Sequence, residues 1–358
     1  MKTLLTFLPH MAAFDACFPL VERLAHRGRI RCETVVGPRI RQTEPRVADL
    51  LERADIGAEQ VSLAALEVFS LGRIMRADAI LTHSDPIAYG KKTRLRDVYT
   101  RGTGRRVAMV QHGMFQGGLN YTLGGRRWRY HSELLLLWRD LDARQRAEIF
   151  DGPVPRIVET GLIKTNRLPL RAPDADLAAR IAAARQVVLI AHNYGHEEAN
   201  YDTRARDRAF ATWARVFDAR PDTLFILRGH RGRRHAEVGP AVAKLISGRA
   251  NVLLSDRHEG ALRFSTINDV LAFSDRVLTH PSTVVLDALG AGVPVGVLDN
   301  NRAELEPLAQ ITDGAAFEAF LDAEDPLGPA APLLAAYGDI ERNLDRAAEA
   351  LETWIAQG

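Results

Sequence analysis

The sequence contains few of the features that mark disulfide-stabilised, membrane-spanning or nucleic-acid-binding proteins. Its only two cysteines, Cys17 and Cys32, have neither metal-ligand nor redox spacing, so we expect a reducing, cytoplasmic environment. Its longest dense apolar run, residues 134–138, is far shorter than the roughly 20 residues that cross a bilayer. A formal net charge of +2 over 358 residues does not indicate a nucleic-acid partner.

Several motifs that define other enzyme classes are also missing. There is no Gly-x-x-x-x-Gly-Lys-Ser/Thr phosphate loop, no His-Glu-x-x-His zinc motif and no Gly-x-Ser-x-Gly nucleophile motif. Asp140 and Asp142 have the spacing of a known metal motif, but we interpret them as capping residues of a helix that begins near Leu141. We therefore expect no metal site and no bound cofactor.

What is present indicates a globular protein of about two domains. Hydrophobic residues make up 46% of the chain and charged residues 26%, which is typical of globular proteins. The apolar run at residues 4–8 stops at Pro9 and is too short for a secretory signal, so we interpret it as a first buried strand.

Short apolar strands alternate with amphipathic helices, which predicts parallel sheets covered on both faces. The predicted strands are 3–7, 31–36, 77–81, 106–110, 133–137, 156–160, 186–190, 223–227, 251–254, 276–279 and 293–297. The predicted helices include 14–26, 203–218, 236–246 and 344–355. We expect two consecutive domains, 1–168 and 169–358, with a proline-containing linker at 169–176 and the last helix in the second domain.

The most informative segment is 274–295, with the sequence SDRVLTHPSTVVLDALGAGVPV. A buried strand ends in the polar group His280 to Thr283, and Ser282 or Thr283 is a suitable N-cap for the helix that follows. Asp287 lies one turn further along, on the same face as Thr283. Hydroxyls and free N–H groups at a helix N-terminus suit phosphate, and a carboxylate can accept hydrogen bonds from a ribose.

This segment resembles the donor-nucleotide motif of GT-B glycosyltransferases and of the related polyol-phosphate transferases that build bacterial surface polymers. The resemblance implies an α/β fold of two Rossmann-like, doubly wound domains with an interdomain cleft. It assigns the acceptor to the N-terminal domain and a nucleotide-activated donor to the C-terminal domain. Ser282, Thr283 and Asp287 match positions of this motif, and His280, at the end of the same strand, is expected in the donor site with them.

Histidines follow several predicted strands, at the sheet edge where ligands of open α/β folds bind. They are His10, His83, His112, His192, His230 and His280. His112 stands between Gln111 and Gly113, and we expect Gly113 to let the backbone turn towards a ligand. An imidazole can take a proton from an attacking hydroxyl near neutral pH.

A His-Gly after a strand of the first domain also occurs in the polyol-phosphate transferases, which implies that His112 is the catalytic base. Gln111, Gly113 and His10 are then expected on the acceptor side. The alternative is a structural histidine that is hydrogen-bonded to a loop carbonyl.

Two loops of the second half are candidates for contact with the donor. Arg228 and His230 match a basic residue and a histidine that the family places after a strand, although Arg231 replaces the family's proline. Cations here would stabilise the departing phosphate; the alternative is a solvated, basic helix start. Asn193 follows the first strand of the second domain and could contact phosphate or sugar, unless this is a plain surface loop.

Two basic clusters lie in the first half of the chain. One consists of Lys91, Lys92, Arg94 and Arg96, and the other of Arg126, Arg127 and Arg129 with Trp128 and Tyr130. They suit an anionic acceptor or the inner face of the cytoplasmic membrane, and the alternative is a solvated surface.

Together these features predict a glycosyltransferase that moves a sugar from a nucleotide-activated donor to a bacterial surface glycan, free or lipid-linked. The donor could be CMP-Kdo or a UDP-sugar, and it is a substrate rather than a cofactor. The alternatives are a CDP-glycerol or ribitol-type polyol-phosphate transferase, a nucleotide-sugar epimerase, and a non-catalytic protein that binds glycans or membranes.

Overall fold

A computed structural model describes residues 1–54, 56, 58–85, 94–122, 125–194, 203–229, 239–255, 260, 262, 264–324 and 330–358. The chain forms two compact units, Met1–Pro169 with Ala335–Gly358, and Leu170–Leu334. Each unit contains one sheet in which every paired strand runs parallel to its neighbour.

The first unit has a seven-stranded sheet in the order β3-β2-β1-β4-β5-β6-β7. Its strands are β1 Thr3–Leu8, β2 Arg31–Val36, β3 Ala58–Gln60, β4 Ala79–Thr82, β5 Arg106–Val110, β6 Leu134–Leu137 and β7 Arg156–Glu159. Its helices are α1 Met11–Arg27, α2 Pro38–Thr43, α3 Arg46–Arg53, α4 Leu63–Glu67, α5 Leu71–Arg76, α6 Leu95–Gly102 and α7 Ala143–Ile149. Strand order reverses between β1 and β4, so the carboxyl ends of these two strands flank the position where ligands of such sheets bind.

The second unit has a six-stranded sheet in the order β10-β9-β8-β11-β12-β13. Its strands are β8 Gln186–His192, β9 Thr223–Gly229, β10 Val252–Leu254, β11 Arg276–Thr279, β12 Val295–Leu298 and β13 Ala309–Ile311. Its helices are α8 Ala175–Ala183, α9 Thr203–Ala219, α10 Pro240–Ile246, α11 Ile267–Leu271, α12 Val284–Gly290 and α13 Gly314–Asp322. Here the order reverses between β8 and β11.

The central strands are buried, apolar runs because helices cover both faces of each sheet. All four residues of β6 are leucines with at most 1% of their surface exposed. The predicted strands 31–36, 106–110 and 276–279 are confirmed at both ends, and the other predicted strands are found within about two residues at each end. The edge strands β3 and β13 were not predicted. Each has only three residues and is only partly buried, so neither shows a periodic pattern.

The last helices are α14 Ala331–Ala335 and α15 Ile340–Ala356, and the position of α15 differs from the one expected. The sequence analysis assigned the final helix to the second domain, whereas α15 packs on α1 of the first unit. Arg27 of α1 pairs with Glu352 at 3.0 Å and Arg23 pairs with Asp345 at 2.9 Å. Apolar residues on the inner face of α15 are buried in the same contact, and this long-range packing could not be predicted from local periodicity.

Candidate functional site

In the first unit, three of the strand-end histidines form one cluster. His10, His83 and His112 follow β1, β4 and β5, which are neighbours in the sheet. The ring centroids of His10 and His83 are 4.9 Å apart, and those of His83 and His112 are 5.3 Å apart. The cluster therefore lies at the carboxyl edge of the sheet, beside the point where strand order reverses.

One hydrogen bond defines the proton position on His112. Its Nδ1 lies 2.8 Å from the backbone carbonyl oxygen of His83. A carbonyl oxygen only accepts hydrogen bonds, so Nδ1 must carry the proton and donate it. In the neutral ring Nε2 is then the basic nitrogen. The bond to a loop carbonyl and a role as base are thus compatible, because they use different nitrogens of the same ring.

The loop that carries His112 is held in place by amide side chains. Gln111 is buried; its Nε2 donates to the carbonyl oxygen of Gly113 at 2.8 Å, and its Oε1 accepts from the Trp138 N–H at 2.9 Å. The N–H of His112 donates to Oε1 of Gln116 at 3.0 Å. Gln111 was predicted on the acceptor side, and in the structure its side chain braces the loop through these contacts.

The chain bends at Gly113, where the sequence predicted a sharp turn. Gly113 does not adopt a positive φ, whereas Gly118 does, with φ of 82°. Left-handed backbone of this kind favours glycine because it has no Cβ. The bend at Gly113 therefore forms without a positive φ at that residue, and the carbonyl oxygen of Gly113 anchors the side chain of Gln111.

The histidine cluster lies in a basic environment. Burial, together with the charges of Arg94, His112, Arg96 and Arg39, lowers the pKa of His10 to about 4. Burial is also the main cause that holds the pKa of His83 well below its ordinary value. Arg96 is only 5% exposed and pairs with Glu67 at 3.5 Å, so it is not the surface cation that the sequence analysis expected. Positive potential here favours an anionic ligand.

In the second unit, His280 connects two loops at the strand ends. Its ring is fully buried; Nδ1 accepts a hydrogen bond from the Asn193 N–H at 3.1 Å, and Nε2 lies 3.5 Å from Oδ2 of Asp299. The same Asp299 oxygen accepts a hydrogen bond from the hydroxyl of Tyr194 at 2.7 Å. His280 and Asn193 were both predicted as donor-binding residues. The structure brings them together, with His280 holding the loop that presents Asn193.

Asp299 was not predicted from the sequence, yet it completes this arrangement. It follows β12 and has a φ of 45°, a left-handed conformation that few residues other than glycine adopt. The nearby ring of His280 and the hydrogen bond from Tyr194 stabilise its carboxylate and lower its pKa. Strained backbone of this kind is concentrated at functional sites. The one signal in the sequence was a carboxylate directly after a buried strand.

Ser282, Thr283 and Asp287 lie where the sequence placed them, at the start of α12. Thr283 is the N-cap residue but makes no side-chain cap hydrogen bond. Ser282 Oγ accepts from the Val284 N–H at 3.3 Å and lies 3.0 Å from the hydroxyl of Thr279. The N–H of Asp287 donates to the carbonyl oxygen of Thr283, which places the two residues on one face as expected.

Arg228 has a different environment from the one that the sequence suggested. It is 6% exposed, and its guanidinium donates to Ser255 Oγ at 2.6 Å and to the Ser265 carbonyl oxygen at 3.1 Å. These contacts anchor the segments that follow β10 and precede α11. His230, which was predicted to act with Arg228, lies outside the described residues, as do Lys91, Lys92 and residues 195–202.

Acidification should destabilise this fold through its buried histidines. Burial lowers the pKa of His192 from 6.5 to about 3, so between these pH values the unfolded chain binds a proton that the folded chain does not. Stability is therefore complete above pH 6.5 and falls as the pH decreases. At about pH 5 His192 alone should reduce the free energy of unfolding by about 2 kcal/mol relative to neutral pH.

Urea denaturation at neutral pH and at about pH 5 measures this effect. His192→Asn should be less stable at neutral pH but should lose about 2 kcal/mol less on acidification than the unmodified chain. His26→Asn, at an exposed position of α1, is the matched control and should keep the full pH dependence. Equal pH dependence in all three chains would contradict the assignment.

Comparison with known proteins supports the fold. No protein-family model matches the sequence, and no curated protein matches it. Among solved structures, S. aureus MnaA with UDP has a TM-score of 0.66 at 13% identity and covers 99% of this chain and 97% of its own. A protein from Listeria monocytogenes that is assigned as a UDP-N-acetylglucosamine 2-epimerase has a TM-score of 0.62 at 17% identity, covering 100% and 97%.

The wall teichoic acid polymerase TagF, soaked with CDPG, is also similar. It has a TM-score of 0.56 at 12% identity and covers 99% of this chain and 88% of its own. Identities this low establish the fold alone. The fold predicted from the sequence, an α/β GT-B architecture with two parallel sheets, is confirmed.

Proposed function

We propose that this chain is a glycosyltransferase that moves a sugar from a nucleotide-activated donor to a glycan of the bacterial surface. The observation that carries the proposal is the hydrogen bond from His112 Nδ1 to the His83 carbonyl oxygen, which leaves Nε2 as the basic nitrogen at the carboxyl edge of the first sheet. The likeness to MnaA with UDP and to TagF with CDPG supports a nucleotide-activated substrate.

In the proposed reaction His112 acts as general base. Its Nε2 takes the proton of an acceptor hydroxyl while the oxygen forms a bond to the anomeric carbon of the donor. The bond between that carbon and the phosphate oxygen breaks, and the nucleotide leaves with the electron pair. The proton remains on the imidazolium until it is released to solvent. No metal ion or further cofactor takes part in the reaction as we propose it.

The second unit is proposed to hold the donor. Ser282 and Thr283 would donate to phosphate oxygens at the start of α12, and Asp287 would accept from the ribose. Asn193, whose backbone N–H is held by the ring of His280, would contact the donor from the neighbouring loop. The guanidinium of Arg228 is held by Ser255 and Ser265, so we propose that Arg228 positions these loops. That His230 stabilises the leaving phosphate stays a proposal from the sequence.

Two other reactions fit the same fold. The likeness to TagF favours transfer of a polyol phosphate from a CDP carrier, and the likeness to the L. monocytogenes protein favours epimerisation of a nucleotide sugar. Glycosyl transfer releases a nucleoside mono- or diphosphate and forms a glycosidic bond. Polyol-phosphate transfer releases CMP and forms a phosphodiester. An epimerase converts its substrate without any acceptor.

Thermal unfolding with CMP, CDP, UDP, GDP and ADP, each at millimolar concentration, tests the proposal. A ligand that binds only the folded chain at about 100 times its Kd stabilises it by about 2.7 kcal/mol, which raises the melting temperature by several degrees. We expect a selective shift: CMP or CDP would indicate a Kdo-type or polyol-phosphate donor, and UDP or GDP a hexosyl donor.

Absence of any shift, confirmed by calorimetry, would contradict the proposal and favour a protein that binds glycans or membranes without catalysis. With the selected nucleotide sugar, product analysis with and without an acceptor then separates a transferase from an epimerase.

A further inference from the structure

The first unit exposes a group of large apolar side chains on helices α4, α5 and α6 and on the turn that joins α4 to α5. Helices α4 and α5 each contact α6. We call this surface the α4–α6 face. Its apolar members are Leu63, Val68, Phe69, Leu71, Met75, Leu95 and Val98. Phe69 is 70% exposed, Met75 55% and Leu63 51%. Contiguous exposure of this kind marks an interaction surface, whereas isolated exposed apolar residues are ordinary.

These exposed side chains are additional to the apolar residues with which the same helices cover the sheet. The inner sides of the same helices are already filled by Leu66, Ile74 and Tyr99, which pack on the sheet residues of the first unit. The helices therefore carry apolar residues on two sides, of which one covers the sheet and the other faces outwards. Folding of the unit accounts for the first side only.

The charges around the α4–α6 face are mainly basic. Arg76, Arg94 and Arg101 are exposed on or beside these helices. The nearby carboxylates are engaged, since Glu67 and Asp97 pair with Arg96 and Glu59 pairs with Arg73. The surface thus combines protruding apolar side chains with arginines, which bind anionic headgroups while their aliphatic parts lie along apolar surface.

We propose that the α4–α6 face docks on an anionic lipid bilayer. The apolar side chains would enter the boundary between headgroups and acyl chains, and the arginines would contact the anionic headgroups. A second copy of the chain fits less well, because a two-fold interface would bring two copies of the same basic surface together. Among the described residues no helix is long and apolar enough to span a bilayer.

The face is directly connected to the histidine cluster. On α6, Leu95 and Val98 are exposed, while Arg96 between them is buried and lines a small cavity with His83 and Thr100. Docking through α6 would hold the carboxyl edge of the first sheet close to the bilayer surface. If the proposed function is correct, this assigns a lipid-linked acceptor to the enzyme; the docking itself does not depend on the reaction.

Flotation of the full chain with vesicles tests the proposal. We expect binding to vesicles of phosphatidylcholine with roughly one third phosphatidylglycerol, and much weaker binding to phosphatidylcholine alone. A triple variant, Leu63→Ser with Phe69→Ser and Met75→Ser, should lose at least about tenfold in vesicle binding. The matched control is Val154→Ser with Leu170→Ser, at apolar positions that are 45% and 57% exposed and lie outside the face.

A second variant, Arg76→Glu with Arg101→Glu, should lose binding to anionic vesicles while keeping the same melting temperature. The proposal is overturned if the unmodified chain does not float with anionic vesicles, or if both variants bind as the control does. It is also overturned if sedimentation velocity shows a dimer that the triple variant abolishes without any vesicle binding. The nucleotide shifts described above are independent of these outcomes, so docking and catalysis can fail separately.

Discussion

Replacement of His112 by alanine is expected to reduce turnover by about 10²- to 10⁴-fold, the usual contribution of a general base. The variant removes the nitrogen that takes the acceptor proton, and it removes no group of the second unit, to which we assign the donor. Nucleotide affinity, measured by calorimetry, should therefore stay within about twofold of the unmodified chain. The loop should persist, because its bracing by Gln111 and Gln116 needs only backbone atoms of residue 112.

A matched control is His26→Ala, which removes an exposed imidazole from α1 and should leave turnover unchanged. His112→Gln tests geometry, since an amide keeps a donor for the His83 carbonyl oxygen but supplies no base. A variant that lost nucleotide affinity and turnover together would contradict the assignment of His112 as base. Turnover close to that of the unmodified chain would contradict it as well.

Gly161→Ala is expected to lower the free energy of unfolding by about 3 kcal/mol or more. Gly161 has a φ of 81°, which costs an alanine roughly 1–2 kcal/mol. A Cβ there would lie 2.3 Å from Nδ2 of Asn343. That amide is buried and donates to the carbonyl oxygens of Leu162 at 3.0 Å and Tyr337 at 2.7 Å. Displacing it breaks buried hydrogen bonds worth about 1 kcal/mol each.

Urea denaturation of both chains measures the loss, with Gly28→Ala as the control. Gly28 ends α1 with a φ of 66°, but a Cβ there would meet nothing within 4 Å. That variant should therefore lose only the conformational cost of about 1 kcal/mol. Equal losses at Gly28 and Gly161 would show that the contact with Asn343 contributes nothing.

Much of the fold could be predicted because its signals are local. The parallel strands are apolar runs of strand length, and each is separated from the next by a segment with helical periodicity. The edge strands β3 and β13 escaped detection because they are short and only partly buried. The final helix was recognised as a helix, but its partner was not, because ion pairs such as Arg27 with Glu352 join residues that are far apart in the chain.

In the candidate site, too, the positions of residues at strand ends could be predicted, whereas their hydrogen-bond partners could not. The sequence placed His112 and His280 directly after strands, and both stand at the carboxyl edges of their sheets. It did not show that Arg228 would be buried against Ser255 and Ser265, or that Asp299 would meet His280. Hydrogen-bond partners of this kind come from loops that are brought together only when the strands have been ordered in the sheet.

By itself, then, the sequence determined the α/β class, the GT-B resemblance and the positions of histidines at strand ends, because strand burial and helix periodicity act over a few neighbouring residues. The tertiary structure decided which histidines are neighbours, which nitrogen of His112 carries the proton, and which unit holds the last helix. These depend on strand order and on contacts between distant segments, and no short-range pattern encodes them.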